Sequence, residues 1–124
     1  MKKILIIEDD AVTAKVYASL LARNGYGVQV AASIRAGVEQ MTEFQPDGVL
    51  LDLRLPDMGG AAATRILKGV ETTAAIPVVA MSALSLEGSD DWLEASGFAG
   101  AIEKPISVHA FPDEVRRHCT NPPP

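Results

Sequence analysis

Cysteine and long apolar segments are scarce in this chain of 124 residues. The single cysteine, Cys119, excludes an internal disulfide and suits a reducing compartment, so we expect a cytoplasmic protein. No apolar stretch approaches the roughly 20 residues that a membrane-spanning helix needs. The apolar run after Lys2 and Lys3 is only four residues long, too short for a signal peptide. We therefore expect no association with a membrane.

Basic charge is also in deficit. Lysine and arginine number 11 against 16 aspartate and glutamate, a net charge of −5 that disfavours binding to nucleic-acid phosphates. We expect no direct contact with nucleic acid. The length and the 48% hydrophobic fraction fit one soluble globular domain. We expect that domain to span residues 1–119, with a disordered proline-rich tail at 120–124.

Strand-like and helix-like stretches alternate along the chain. Apolar runs start near residues 4, 28, 48, 77 and 100, and a helical pattern follows each of them. The pattern predicts an α/β fold in which a parallel sheet carries helices on both faces, and it leaves the strand order open. Helices are also expected over residues 61–68 and 86–96.

Three helices carry more specific signals. Asp10 and Ser33 are predicted to cap the first two helices at their N-termini. The i, i+4, i+8 spacing predicts a buried stripe of Val12, Val16 and Leu20 on the first helix. The last helix is predicted to start at Ser107 with an irregular first turn caused by Pro112, and to point Val108, Phe111 and Val115 inward.

Polar residues follow four of the apolar runs, at the point where each predicted strand ends. They are Glu8 and Asp9, Asp52, Ser82 and Lys104. The carboxyl ends of parallel strands lie on one edge of a sheet, where α/β proteins place their sites. We therefore expect these side chains to face one crevice.

Three carboxylates in one crevice repel one another unless a cation neutralises them. Oxygen ligands of this kind suit Mg²⁺. The alternative is that Glu8, Asp9 and Asp10 only complement the start of a helix, whose dipole favours acids there. Asp52 favours the metal hypothesis, because it closes an apolar strand with no helix directly after it.

The same residues suit phosphoryl transfer. A carboxylate can attack a phosphoryl group and form an acyl phosphate, a reaction that depends mainly on charge neutralisation. Lys104 would supply positive charge and Ser82 a hydroxyl donor. A cis peptide between Lys104 and Pro105 is also predicted.

At this point the chain resembles a known family, the receiver domains of two-component response regulators, over residues 2–118. Within that family it is similar to stand-alone, single-domain regulators of the cell cycle, notably at residues 104–108. The motifs that carry the resemblance are Ile6-Ile7-Glu8-Asp9-Asp10, Leu50-Leu51-Asp52-Leu53-Arg54-Leu55-Pro56-Asp57-Met58-Gly59-Gly60, Met81-Ser82-Ala83 and Glu103-Lys104-Pro105-Ile106.

The resemblance implies a flavodoxin-like (βα)5 doubly wound sheet with strand order 2-1-3-4-5. It implies that Asp52 accepts a phosphoryl group from a histidine kinase or a histidine phosphotransfer protein. Asp9, Asp52 and the backbone carbonyl of Arg54 would bind Mg²⁺ directly, and Glu8 would bind it through water. Ser82 and Lys104 would contact the phosphoryl oxygens. Output is then expected through a downstream protein effector, with a homodimer possible.

Two other functions compete with this one. An aspartyl-nucleophile, Mg²⁺-dependent phosphatase would turn over substrate, but such hydrolases place Asp-x-Asp after the first strand, whereas here Asp52-Leu53-Arg54 follows the third. A pseudo-receiver would serve only as a binding scaffold, which the intact polar set disfavours. We therefore expect no enzyme beyond self-phosphorylation and dephosphorylation.

One position departs from the family pattern. Receivers commonly carry Tyr or Phe three residues before the lysine, and this chain has Ala101. We predict that phosphorylation is read out through the loop at residues 82–84 and the helix after it. Hydrogen exchange of that loop, compared between phosphorylated and unphosphorylated protein, measures this, and equal protection would contradict the prediction.

Overall fold

A computed structural model of the chain describes residues 2–53, 65, 68–69, 74–82 and 97–119. The elements are β1 (Lys3–Ile7), α1 (Ala11–Arg23), β2 (Gly27–Ala31), α2 (Ile34–Phe44), β3 (Gly48–Asp52), β4 (Val78–Ser82), β5 (Gly100–Glu103) and a last helix, here α3 (Phe111–Cys119). Of the two further predicted helices, only Arg65 and Lys68 of the first are described, and both are helical. The second, and the tail at 120–124, lie outside the described residues.

The five strands form one parallel sheet in the order β2-β1-β3-β4-β5. This is the doubly wound α/β arrangement predicted from the sequence, and the flavodoxin-like strand order is confirmed. The strands β1, β3 and β4 are central and almost wholly buried, which explains their near-continuous apolar sequences. No helix in the described part of the chain has the length and apolar character needed to cross a membrane.

Apolar side chains form one cluster on each face of the sheet. On one face, α2 contributes Ile34 and Met41 to a cluster with Leu5 and Leu51. On the other, α1 and α3 pack together against the strands, and their buried side chains include Tyr17, Leu21, Phe111 and Val115. The sheet is therefore covered on both sides, which leaves its edges for function.

Two predicted helix caps are present. The side chain of Asp10 accepts hydrogen bonds from the backbone nitrogens of Val12 at 3.0 Å and Thr13 at 3.3 Å. Ser33 Oγ accepts one from the backbone nitrogen of Ala36 at 3.1 Å. These bonds satisfy amide groups that the first helical turn leaves unpaired. The cap at Asp10 starts α1 immediately beyond the acids that follow β1.

The predicted buried stripe of α1 was wrong. Val12 is 73% exposed and Val16 is 47% exposed. The helix buries Ala14, Tyr17 and Leu21 instead, and Leu20 is only partly buried. Two apolar stripes share this helix, and the one with the larger side chains occupies the interior, where the small Ala14 allows close approach. The valine stripe therefore faces solvent.

The start of the last helix was also wrong. The α-helix α3 begins at Phe111, and residues 108–110 form a turn in which Val108 is 55% exposed. The backbone nitrogen of Phe111 still donates to the Ser107 carbonyl at 2.8 Å. Pro112 falls in the first turn of the helix, where its missing N–H has no partner to lose. Phe111 and Val115 are buried as predicted.

Candidate functional site

The carboxyl edge of the sheet brings the predicted site residues together. Asp52 and Ser82 are the last residues of the neighbouring strands β3 and β4, and both are 3% exposed. Glu8 directly follows β1, and Lys104 directly follows β5. Backbone bonds continue the sheet at these ends: the nitrogen of Glu8 donates to the Ala31 carbonyl and that of Lys104 to the Ser82 carbonyl. The register of the parallel strands thus fixes the backbone position from which each of these side chains extends.

The three acids form a compact oxygen-rich group. One carboxylate oxygen from each of Glu8, Asp9 and Asp52 lies within 4.8 Å of the others. Glu8 and Asp52 are buried, whereas Asp9 is exposed and opens the group to solvent. Oxygen ligands open to water on one side are what Mg²⁺ prefers, because it keeps part of its hydration shell. The carbonyl of Arg54, the fourth predicted ligand, lies outside the described residues.

Lys104 joins two of these acids by ion pairs. Its Nζ lies 3.2 Å from Glu8 Oε2, to which it donates a hydrogen bond, and 3.4 Å from Asp52 Oδ2. The lysine side chain is only 12% exposed. Because water is largely excluded, the attraction is stronger than that of a surface pair. Lys104 therefore neutralises part of the negative charge that the acids concentrate here.

The local field shifts the acid–base behaviour of this pair. Burial raises the pKa of Glu8 above its usual range, and hydrogen bonds from Lys104 and the Asp10 backbone only partly oppose the effect. Burial alone would lower the pKa of Lys104. The hydrogen bond to Glu8 and the charges of Asp52 and Glu8 outweigh it, so that pKa is raised. Lys104 is therefore held in its charged form.

The peptide bond between Lys104 and Pro105 is cis, as predicted. Ala101, where the family commonly has an aromatic residue, lies in β5 opposite Ala80 of β4. It is half-buried against the apolar cluster that α2 covers. The loop after Ser82, to which we assigned the readout of phosphorylation, lies outside the described residues.

The sequence analysis missed one residue beside this site. Tyr17, on the inner face of α1, is buried to 5% exposure and lines a groove of about 520 Å³ together with Lys104. The other lining residues are Val12, Thr13, Val16, Pro105 and Ile106. The signal for Tyr17 was an aromatic residue on the second apolar stripe of the helix that follows the acids.

The ion pairs of Lys104 predict a metal-sensitive loss of stability in Lys104→Met. Without Mg²⁺, the free energy of unfolding at pH 7 should fall by about 3 kcal/mol, because the buried carboxylates lose their cation. The loss should shrink with Mg²⁺, and also at pH 5, where Glu8 with its raised pKa takes up a proton more readily. Urea unfolding measures both. The exposed Lys15→Met is the control, and equal losses with and without Mg²⁺ would contradict the prediction.

Comparison with known proteins agrees with this geometry. Residues 4–116 match the model of the response regulator receiver domain. The polar-differentiation response regulator DivK of Brucella ovis is 30% identical over 117 residues, which cover 94% of this chain and 95% of that protein. The chemotaxis response regulator CheY4 of Vibrio cholerae superimposes with a TM-score of 0.87 at 21% identity, covering 95% of this chain and 98% of that one.

A second solved structure extends the comparison to receivers attached to kinases. The receiver domain of a signal transduction histidine kinase from Syntrophus aciditrophicus has a TM-score of 0.82 at 28% identity and covers 96% of this chain and 90% of that one. The resemblance expected from the motifs is thus confirmed, including the likeness to the response regulator DivK over almost its whole length. The chain belongs to the family of response regulator receiver domains, which are signalling proteins.

Proposed function

We propose that Asp52 accepts a phosphoryl group from a phosphohistidine of a histidine kinase or histidine phosphotransfer protein, in a reaction that depends on Mg²⁺. One observation carries the proposal. The buried Asp52 stands within 4.8 Å of oxygen atoms of Glu8 and Asp9 and 3.4 Å from the Lys104 ammonium. A nucleophile, two further metal ligands and a cation for the phosphoryl group thus share one crevice.

The chemistry follows from these positions. An Asp52 carboxylate oxygen attacks phosphorus, an O–P bond forms, the P–N bond to the donor imidazole breaks, and the imidazole nitrogen keeps the bonding electron pair. Lys104 then neutralises part of the charge on the phosphoryl oxygens, and the Ser82 hydroxyl donates a hydrogen bond to them. Lys104 is already beside Asp52, so little rearrangement is needed. Ser82 ends the adjacent strand, next to the acceptor.

The acids fit a magnesium ion. The family binds Mg²⁺ at an acidic pocket, and Glu8, Asp9 and Asp52 supply such a pocket here. We assign Asp9, Asp52 and the Arg54 carbonyl as direct ligands and Glu8 as a ligand through water. Bound Mg²⁺ supplies positive charge to the phosphoryl oxygens. Glu8 serves the metal poorly while it holds Lys104, so metal binding and the ion pair compete for one carboxylate.

The donor protein has a suitable surface beside the site. The groove between α1 and residues 104–106 reaches Lys104 at one end and carries the exposed Val12 and Val16. A second groove of about 530 Å³ continues from the same two valines along α1 to Leu20. Because Asp52 is buried, its donor must approach closely, and an apolar surface at the mouth of the site can hold it there.

Output is expected through a downstream protein effector or a second copy of the chain. Ala101 offers no aromatic ring to swing inward, so the readout through the loop at residues 82–84 stays a prediction. We assign residues 1–119 to the receiver domain and place the protein in the cytoplasm. The proposal includes no turnover of outside substrates.

Labelling with a small phosphodonor tests the acceptor. Incubation with Mg²⁺ and acetyl phosphate should give an acid-stable, alkali-labile phosphate that mass spectrometry locates on Asp52. Asp52→Asn should abolish it, because the amide is a far weaker nucleophile, and chelation of Mg²⁺ should suppress it. Asp113→Asn, an exposed aspartate of α3, is the control and should label normally.

The competing functions give different results in that experiment. Rapid, general hydrolysis of phosphate esters would favour the aspartyl-nucleophile phosphatase. If the wild-type chain took up no label, the pseudo-receiver that serves only as a binding scaffold would be the remaining hypothesis. The first result would overturn the receiver function, although Asp52 would still be phosphorylated transiently during turnover. The second result would overturn phosphoryl acceptance at Asp52.

From the groove we predict that Val16→Asp slows phosphoryl transfer from a protein donor but not from a small-molecule donor. Transfer from a phosphorylated histidine phosphotransfer protein that labels the wild type should slow by about tenfold or more, because a charge enters an apolar contact. Transfer from acetyl phosphate should hold, since a small donor needs no docking surface. Rapid-quench kinetics measure both rates.

The matched control is Val30→Asp. Val30 is 40% exposed against 47% for Val16, and it lies on the edge strand β2, away from the groove. It should change neither rate. If Val16→Asp slowed both donors equally, or neither, the docking assignment would be wrong.

A further inference from the structure

Tyr17 is buried beside the site by apolar packing. Its ring centroid lies 5.1 Å from that of Phe111 at an interplanar angle of 36°, so the two aromatic rings fasten α1 to α3. The side chain is 5% exposed and belongs to the apolar cluster on this face of the sheet. Tyr17 and Lys104 both line the groove between α1 and residues 104–106.

The hydroxyl of Tyr17 lies within the electric field of the site. Burial raises the pKa of Tyr17; the charge of Lys104 acts against this, and those of Glu8 and Asp52 add to it. The phenol is therefore a neutral group at physiological pH. A neutral hydroxyl can both donate and accept a hydrogen bond, so it can serve a cation without adding a fourth negative charge to the acids.

Lys104 needs such a partner during the reaction. Its ammonium has three hydrogens, and the ion pairs in the structure run to Glu8 and Asp52. Both carboxylates have other roles in the proposed reaction, since Glu8 serves Mg²⁺ and Asp52 becomes an acyl phosphate. Until the phosphoryl oxygens arrive, a flexible four-carbon stem without another partner would spread the ammonium over many positions.

We propose that Tyr17 is a positioning residue for Lys104, and that its hydroxyl oxygen holds the ammonium in the groove, directly or through one water, while the carboxylates engage the metal and the phosphoryl group. The inference rests on the proposed function of Asp52. The buried packing against Phe111 restricts the rotamers of Tyr17, whereas the lysine has a flexible four-carbon stem. Preorganised charge of this kind lowers the barrier to phosphoryl transfer.

Tyr17→Phe tests the hydroxyl alone, because the ring and its packing against Phe111 are kept. With acetyl phosphate and Mg²⁺, the maximal rate of Asp52 phosphorylation should fall by about tenfold, the effect of one hydrogen bond to a charged group. The half-saturating donor concentration and the midpoint of thermal unfolding should stay the same as in the wild type. Tyr26→Phe, the chain's other tyrosine, lines a different cavity and is the control.

A second measurement reads Lys104 itself. With Mg²⁺ present, NMR of the Lys104 ammonium, assigned by its loss in Lys104→Met, should show faster proton exchange with water in Tyr17→Phe than in the wild type or Tyr26→Phe. Equal phosphorylation rates in Tyr17→Phe and the wild type would overturn the role of Tyr17 and leave Asp52 as acceptor. A slower rate with unchanged ammonium exchange would also overturn it. Failure of the wild type to label would instead overturn the proposed function.

Discussion

The arrangement depends on one ammonium group shared by two buried carboxylates from different strands. Glu8 and Asp52 start on adjacent strands, β1 and β3, and Lys104 reaches them from the far edge of the sheet. Each carboxylate alone would be costly to bury, and both together more so. The lysine makes the acidic crevice compatible with a folded chain. It also keeps its own positive charge next to the carboxylate that is proposed to receive the phosphoryl group.

The strands and their polar ends could be read from the sequence because two simple rules apply to them. Parallel strands buried on both faces are continuously apolar, so a polar residue that ends such a run stands out. Carboxyl ends of parallel strands share one edge, so Glu8, Asp52, Ser82 and Lys104 were expected together, and they are. The order of the strands follows from no such rule. It required the resemblance to receiver domains.

The buried faces of the helices were harder to predict from the sequence, because periodicity identifies an apolar stripe but not which of two stripes is buried. On α1, valines at positions 12 and 16 obey the helical repeat as well as Tyr17 and Leu21 do. The choice is made by packing against α3 and the sheet, which the local sequence does not contain. The same gap hid Tyr17, whose place beside the site depends on a groove formed with a loop almost 90 residues later. The start of α3 failed for a related reason, since the turn at residues 108–110 keeps an i→i+4 bond without forming a helix.

The proposed chemistry and the predicted switching involve different parts of the sheet edge. The polar residues after β1, at the ends of β3 and β4 and after β5 are the set proposed for a phosphoryl acceptor. In β5, the ring that receivers commonly place at position 101 is replaced by Ala101. A small side chain there takes nothing from the proposed reaction, but it removes one way of reporting that reaction. Whatever reports it must then use elements other than the side chain of β5 at that position.

The helix α1 has two apolar stripes that point in different directions. The inner one, with Ala14, Tyr17 and Leu21, is buried in the fold, while the outer one, with Val12 and Val16, is exposed along the groove beside the site. Under the proposed docking, substitutions on the outer stripe are expected to alter which protein the chain recognises without disturbing its reactivity. A duplicated copy of such a chain could acquire a new partner through a few changes on one helix and avoid cross-talk with its parent.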